Sequence, residues 1–233
     1  MTRDHKSGLE KMNDLKTVRE NVTFVRQTTP SGVLLVAAAK TRTADEVNAA
    51  VDAGIKAIGY NYIQEAERMR PVVSDKVSWH MIGHLQRNKA KKAVQLFDMI
   101  ETIDSVGLAL EVNKQCLVAR KKMPVLIEIN SGRESNKTGV TPENAEQLIR
   151  EISALSNLLV QGLMTMGPRL GDPEDARPYF QLTKKVFDQI AKLKIPRVEM
   201  RYLSMGMSNS YRIAIEEGAT IIRIGSFLFG ERN

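Results

Sequence analysis

A single cysteine, Cys116, is all the thiol chemistry that this 233-residue chain holds. That excludes a disulfide framework and any zinc site built on several thiolates, and it suits a reducing compartment. No apolar stretch follows the charged residues of segment 1–13, so no secretory signal is expected. Long hydrophobic runs are missing as well. The longest stretch without charge, 153–168, is too short for a membrane span and is interrupted by Ser156, Asn157 and Gln161. The expectation is a cytoplasmic protein with no membrane partner. Aromatic residues make up only 5% of the chain, and none interleaves the densest basic cluster, Arg87, Lys89, Lys91 and Lys92. The net charge of +7 is therefore read as solvated faces or a small anionic ligand rather than nucleic acid.

What the sequence does have is alternation. Hydrophobic residues, 42% of the chain, suffice for a core. Short β-branched runs at 33–39, 55–59, 77–82, 98–103, 124–130, 158–166, 198–204 and 220–225 predict eight strands. Amphipathic segments at 44–53, 63–69, 89–96, 106–121, 142–156, 174–192 and 209–217 predict the helices between them, and 8–28 predicts one more ahead of the first strand. The punctuation agrees. Thr43 and Glu46 form a capping box, Thr141 precedes Pro142 at a first helical position, and Gly54 and Gly218 stand where left-handed C-caps are wanted.

Strand and helix in strict alternation imply crossover connections, hence a parallel sheet. Eight such units without a break in composition predict an α/β fold, one (β/α)8 TIM barrel over residues 1–233 with an extra N-terminal helix. That helix would cover the gap left by the short tail after the last strand. An open Rossmann-type sheet is the alternative, because one sequence does not state strand order.

In such a barrel, chemistry sits at the carboxyl ends of the strands. The first predicted strand is wholly apolar until Lys40, with Val36 and Ala38 on the same face. An amine beside an apolar wall loses some of its preference for the charged form and becomes a nucleophile toward aldehydes; otherwise Lys40 emerges into solvent. In the last strand, Arg223 interrupts a run of isoleucines. A guanidinium there needs a partner, either a ligand or a structural counter-ion. Ser204-Met205-Gly206-Met207-Ser208-Asn209 and Gly225-Ser226 follow the last two strands, the recurrent phosphate position of this fold. Glycine permits close backbone approach, and hydroxyls with amides suit a phosphate, although Ser208 alone would also serve as an N-cap. An amine, a buried cation and a phosphate cradle on one rim suggest a phosphorylated aldehyde, for which pyridoxal 5'-phosphate fits best.

Several segments carry a family resemblance. They are Ala39-Lys40-Thr41, Gly59-Tyr60-Asn61-Tyr62-Ile63-Gln64-Glu65, Trp79-His80-Met81-Ile82-Gly83-His84-Leu85-Gln86-Arg87-Asn88-Lys89, Asn136-Lys137-Thr138-Gly139, Gly162-Leu163-Met164, Ser204 to Ser208 and Arg223-Ile224-Gly225. In this order the chain resembles the pyridoxal phosphate homeostasis proteins, which are related to the N-terminal barrel of alanine racemases. The resemblance implies that Lys40 forms the internal aldimine and that Asn61 lines the cofactor rim. Arg223 is implied to face the pyridine nitrogen, with Ser208, Gly225 and Ser226 at the phosphate and Ser204 and Met207 nearby. Lys137 matches a second lysine on a loop. Tyr60 stands where the family usually has Glu, which removes a carboxylate.

The resemblance implies a monomer that holds the cofactor without a committed substrate and passes it to PLP-dependent apo-enzymes. The competing reading is a PLP-dependent amino-acid racemase, with Tyr60 as a replacement acid/base. Against it, a charged Arg223 at the ring nitrogen weakens the ring as an electron sink, and no second β domain is expected after the barrel. His80 and His84 lack a nearby third histidine, so no metal site is expected. Gly132 to Thr138 lacks the second glycine of a P-loop.

Overall fold

Each strand is followed by helix, and each helix returns the chain to lay the next strand parallel to the last. The computed structural model describes residues 8–134, 137–168 and 171–231. Its strands are β1 (Leu34–Ala38), β2 (Ala57–Tyr60), β3 (Ser78–Met81), β4 (Met99–Ile103), β5 (Met123–Ile129), β6 (Leu158–Thr165), β7 (Val198–Ser204) and β8 (Ile221–Ile224). They pair in chain order, and β1 pairs with both β2 and β8, which closes the barrel. Closure removes the open-sheet alternative.

The helices are α1 (Gly8–Thr28), α2 (Ala44–Asp52), α3 (Ile63–Met69), α4 (Ala90–Leu96), α5 (Val106–Val118), α6 (Ala145–Ser153), α7 (Arg177–Leu193), α8 (Tyr211–Glu216) and α9 (Ser226–Phe229). α1 has its expected bounds and packs on α2 and α9, covering the place where a full eighth helix would lie. The capping box is present: Glu46 N donates to Thr43 Oγ1 at 3.3 Å and Thr43 N to Glu46 Oε2 at 2.8 Å. Gly54 and Gly218 adopt φ of 103° and 90°, as a left-handed cap requires. Two expected helices open differently. Pro142–Asn144 and Pro173–Ala176 form 3-10 turns before α6 and α7, the tighter first turn common at helix N-termini. No helix among the described residues is long and apolar enough to cross a membrane.

Two cores result. The larger lies between sheet and helices, where Trp79, Tyr60, Phe97 and Phe180 are fully buried, each contributing about 1.5–3 kcal/mol. The smaller fills the barrel with Val36, Ala57, Met99, Leu126, Met164 and Ile221. Two residues further along their strands the inward positions turn polar: Glu101, Glu128 and Arg223, all buried. This charged layer sits under the mouth.

Candidate functional site

β1 delivers Lys40 to the rim. Val36 and Ala38 share the inward face, and Lys40 is half-buried two residues past the end of β1. The next residue, Thr41, has φ of 64°, a conformation a β-branched residue adopts only at a cost of about 1–3 kcal/mol. Its neighbours hold it there. Arg42 donates from Nη1 to Phe229 O at 3.1 Å, lies over the Phe229 ring at 5.6 Å and pairs with Glu46 at 3.5 Å. The turn after Lys40 is thereby tied to the end of α9.

β8, the neighbour of β1, carries Arg223. The guanidinium donates from Nη1 to Ser204 Oγ at 2.5 Å and from Nη2 to Thr165 O at 2.8 Å. Ser204 Oγ donates in turn to Glu101 Oε2 at 2.5 Å, and the direct Nη1 to Oε2 separation is 3.9 Å. Burial opposes the Arg223 charge and Glu101 and Glu128 support it; a guanidinium does not give up its proton in a protein, so it stays a cation. Burial likewise opposes the Glu101 charge, but His80, Arg223 and Ser204 outweigh it and hold the carboxyl below its usual range. Both structural and ligand readings of Arg223 thus have substance: it has a counter-ion, and it lies two residues before Gly225 of the cradle.

That cradle is built by β7 and β8. Ser208 Oγ accepts from Gly225 N at 3.3 Å and from Phe227 N at 3.2 Å, so two backbone amides converge on one oxygen. A Cβ on Gly225 would stand 3.2 Å from Ala38 O, crowding the gap between β8 and β1. Convergent amides, a hydroxyl and a missing side chain are the donor set and the space that a phosphate oxygen takes. Ser226 is exposed beside it. Met207 is half-buried, and its amide donates to Ser210 Oγ at 3.3 Å instead. Ser204, fully buried, is placed in the Arg223 network below the cradle.

Asn61 follows β2 and is half-buried at the rim, its backbone against Gly83. Tyr60 is a correction. It lies in the outer core and stacks on Trp79 with centroids 5.3 Å apart, and its buried hydroxyl has no partner. Burial, then the Glu65 charge, push the phenol well above the usual tyrosine range. A replacement acid/base at the mouth is therefore ruled out. Lys137 Nζ is 2.5 Å from Glu134 Oε1, while Asn136 of the same motif falls outside the described residues. His80 is buried inside the barrel and His84 is exposed, and among the described residues no three metal-ligating side chains cluster.

Glu101 and Glu128 are members of the charged layer that sequence reasoning missed, and so is the contact of His80 with Glu101. Glu128 accepts from Thr138 Oγ1 at 2.7 Å through Oε1, and its Oε2 is buried without a partner. Burial, partly offset by Thr138, pushes its pKa up. A raised value means the folded chain binds this proton more tightly than the unfolded chain. The group's stabilising contribution is then present below the unfolded carboxyl value, about 4.3, and lost as pH rises through the folded value. Glu128→Gln imitates the protonated form. It is expected to melt above the wild type at about pH 8 and nearly with it at about pH 4; thermal melts at the two pH values check this, and a lower melt at the higher pH refutes it.

The comparisons agree with this layout. The chain matches the alanine racemase N-terminal domain family over residues 13–233. A pyridoxal phosphate homeostasis protein of Aquifex aeolicus is 40% identical over 199 residues, 85% of this chain and 86% of that one. Another, from Schizosaccharomyces pombe, is 36% identical over 86% of this chain and 84% of its own. PipY of Synechococcus elongatus, solved with PLP bound, superposes with a TM-score of 0.84 at 29% identity, over 91% of this chain and 100% of that one. An alanine racemase of Clostridium difficile shares the fold at TM-score 0.81 and 14% identity, over 94% of this chain and 57% of its own. With a domain match from residue 13 to residue 233 and relatives as close as 40% identity across most of both chains, this chain belongs to the pyridoxal phosphate homeostasis protein family.

Proposed function

We propose that the chain holds pyridoxal 5'-phosphate at the barrel mouth and acts in intracellular vitamin B6 homeostasis, without a committed substrate. The observation that carries the reading is that three adjacent strand ends, β7, β8 and β1, supply the amide cradle, the buried cation and Lys40. When bound, this group supplies an aldehyde that condenses with amines and a ring that withdraws electrons. Lys40 would hold it through its amine, the aldehyde oxygen leaving as water with the two amine hydrogens. Ser208, with the Gly225 and Phe227 amides and Ser226 beside them, binds the phosphate. Arg223 would face the ring nitrogen, and as a permanent cation it would keep that nitrogen unprotonated. Asn61 borders the ring and Met207 the cradle.

The same arginine makes carbanion chemistry harder, and racemases with a similar arginine offset this with two opposed proton carriers. An unprotonated ring is a poor electron sink, and racemisation needs two opposed proton carriers, a part Tyr60 cannot take from the outer core. The homeostasis relatives and the PLP-bound PipY support the reading. In it the protein is a cytoplasmic monomer that passes its cofactor to PLP-dependent apo-enzymes, within one barrel domain.

Borohydride reduction of the loaded protein, followed by peptide mass spectrometry, is expected to place a pyridoxyl group on Lys40. Label at Lys137 alone, or nowhere, overturns the assignment. Sustained Cα exchange of amino acids by the loaded protein in deuterium oxide overturns the carrier reading.

A further inference from the structure

Inside the barrel one carboxylate joins strands that are otherwise far apart. Glu101, on β4, has no solvent exposure. Its Oε1 is 2.7 Å from His80 Nδ1 on β3, and its Oε2 receives the Ser204 hydroxyl of β7 at 2.5 Å. Ser204 Oγ accepts Arg223 Nη1 of β8, also at 2.5 Å. His80 Nε2 lies 3.1 Å from Ser78 Oγ, so the imidazole is held on both sides. On the far side of the guanidinium, Nη2 is fixed by Thr165 O of β6 at 2.8 Å.

As a source of stability this arrangement is a poor choice. Two buried charges pay heavy desolvation, and an apolar filling of equal volume generally does as well. What the chain of bonds does provide is orientation. Engaging Nη1 and Nη2 from different strands leaves the guanidinium plane little freedom, and Nε takes part in none of these bonds. We propose that Glu101 is a positioning residue for Arg223. Acting through Ser204, and anchored itself by His80, it sets the plane of the guanidinium that meets the cofactor's ring nitrogen. The inference rests on the cofactor reading above.

The test loads the protein with pyridoxal 5'-phosphate labelled with nitrogen-15 in the ring and records its nitrogen NMR spectrum. The wild type is expected to give one resonance of an unprotonated, hydrogen-bonded pyridine. In Glu101→Gln and in Ser204→Ala the resonance is expected to shift and broaden or split, with cofactor affinity about tenfold or more weaker, the size of one charge-assisted hydrogen bond. A role in folding alone would lower the melting temperature and leave the loaded fraction's resonance in place. That result in the variants overturns the proposal. Glu101→Gln strands a buried cation and can prevent folding; Ser204→Ala keeps both charges, removes only the bridge, and decides the matter by itself. A wild type that takes up no cofactor, or whose ring nitrogen is protonated, refutes the cofactor reading instead.

Discussion

Arg223→Met is expected to lose about 3–5 kcal/mol of folding stability, because it leaves Glu101 charged, buried and without its cation. Methionine fills much of the arginine stem's volume, so packing loss is the smaller part. The loss should be recoverable. Arg223→Met combined with Glu101→Leu buries neither charge, and is expected to regain most of the stability while the pyridine-facing donor stays absent. Urea denaturation with an unchanged slope measures both variants. A single variant that loses less than about 1 kcal/mol would show that the pair contributes no more than an exposed one. A double variant no better than the single would place the cost in packing.

The same pair shows what a sequence discloses and where it stops. Arg223 stands out because a charge breaks an apolar strand. Glu101 in Met99-Ile100-Glu101-Thr102-Ile103 and Glu128 in Leu126-Ile127-Glu128-Ile129 break theirs in the same way, so the signal for the charged layer is present in the residues. Which charge meets which is not. Glu101 and Ser204 are 103 positions apart, and only strand order and register bring them within 2.5 Å. Tyr60 errs for a reason the sequence does contain. It neighbours Asn61, and alternate residues of a strand face opposite ways, so a rim position for one places the other under the helices. Eight strands, the covering helix 8–28 and the rim lysine were legible because periodicity and caps are local. The strained Thr41 was not, since its φ is imposed by contacts that Arg42 makes near the opposite end of the chain.

Lys40→Ala is expected to abolish covalent loading entirely, because it removes the amine that condenses with the aldehyde. Lys40 is half-buried at a strand end, and the turn after it is held by Arg42 and by the capping box of Thr43 and Glu46. Those contacts survive the substitution. So do the Ser208 cradle and the Arg223 network, which means the cofactor should still bind, only more weakly and without the absorbance of a covalent adduct. Lys40→Arg sharpens the point. It keeps a positive charge at the rim, yet a guanidinium is no nucleophile, so it is expected to fail in the same way. Absorption spectra before and after dialysis, read beside borohydride labelling, separate covalent from reversible binding. Should Lys40→Ala keep full label, the nucleophile lies elsewhere. Should it unfold, Lys40 is structural. Neither is expected of a site in which Arg223 is held in the interior by Ser204 of β7 and Thr165 of β6 while Lys40 stands past the end of β1.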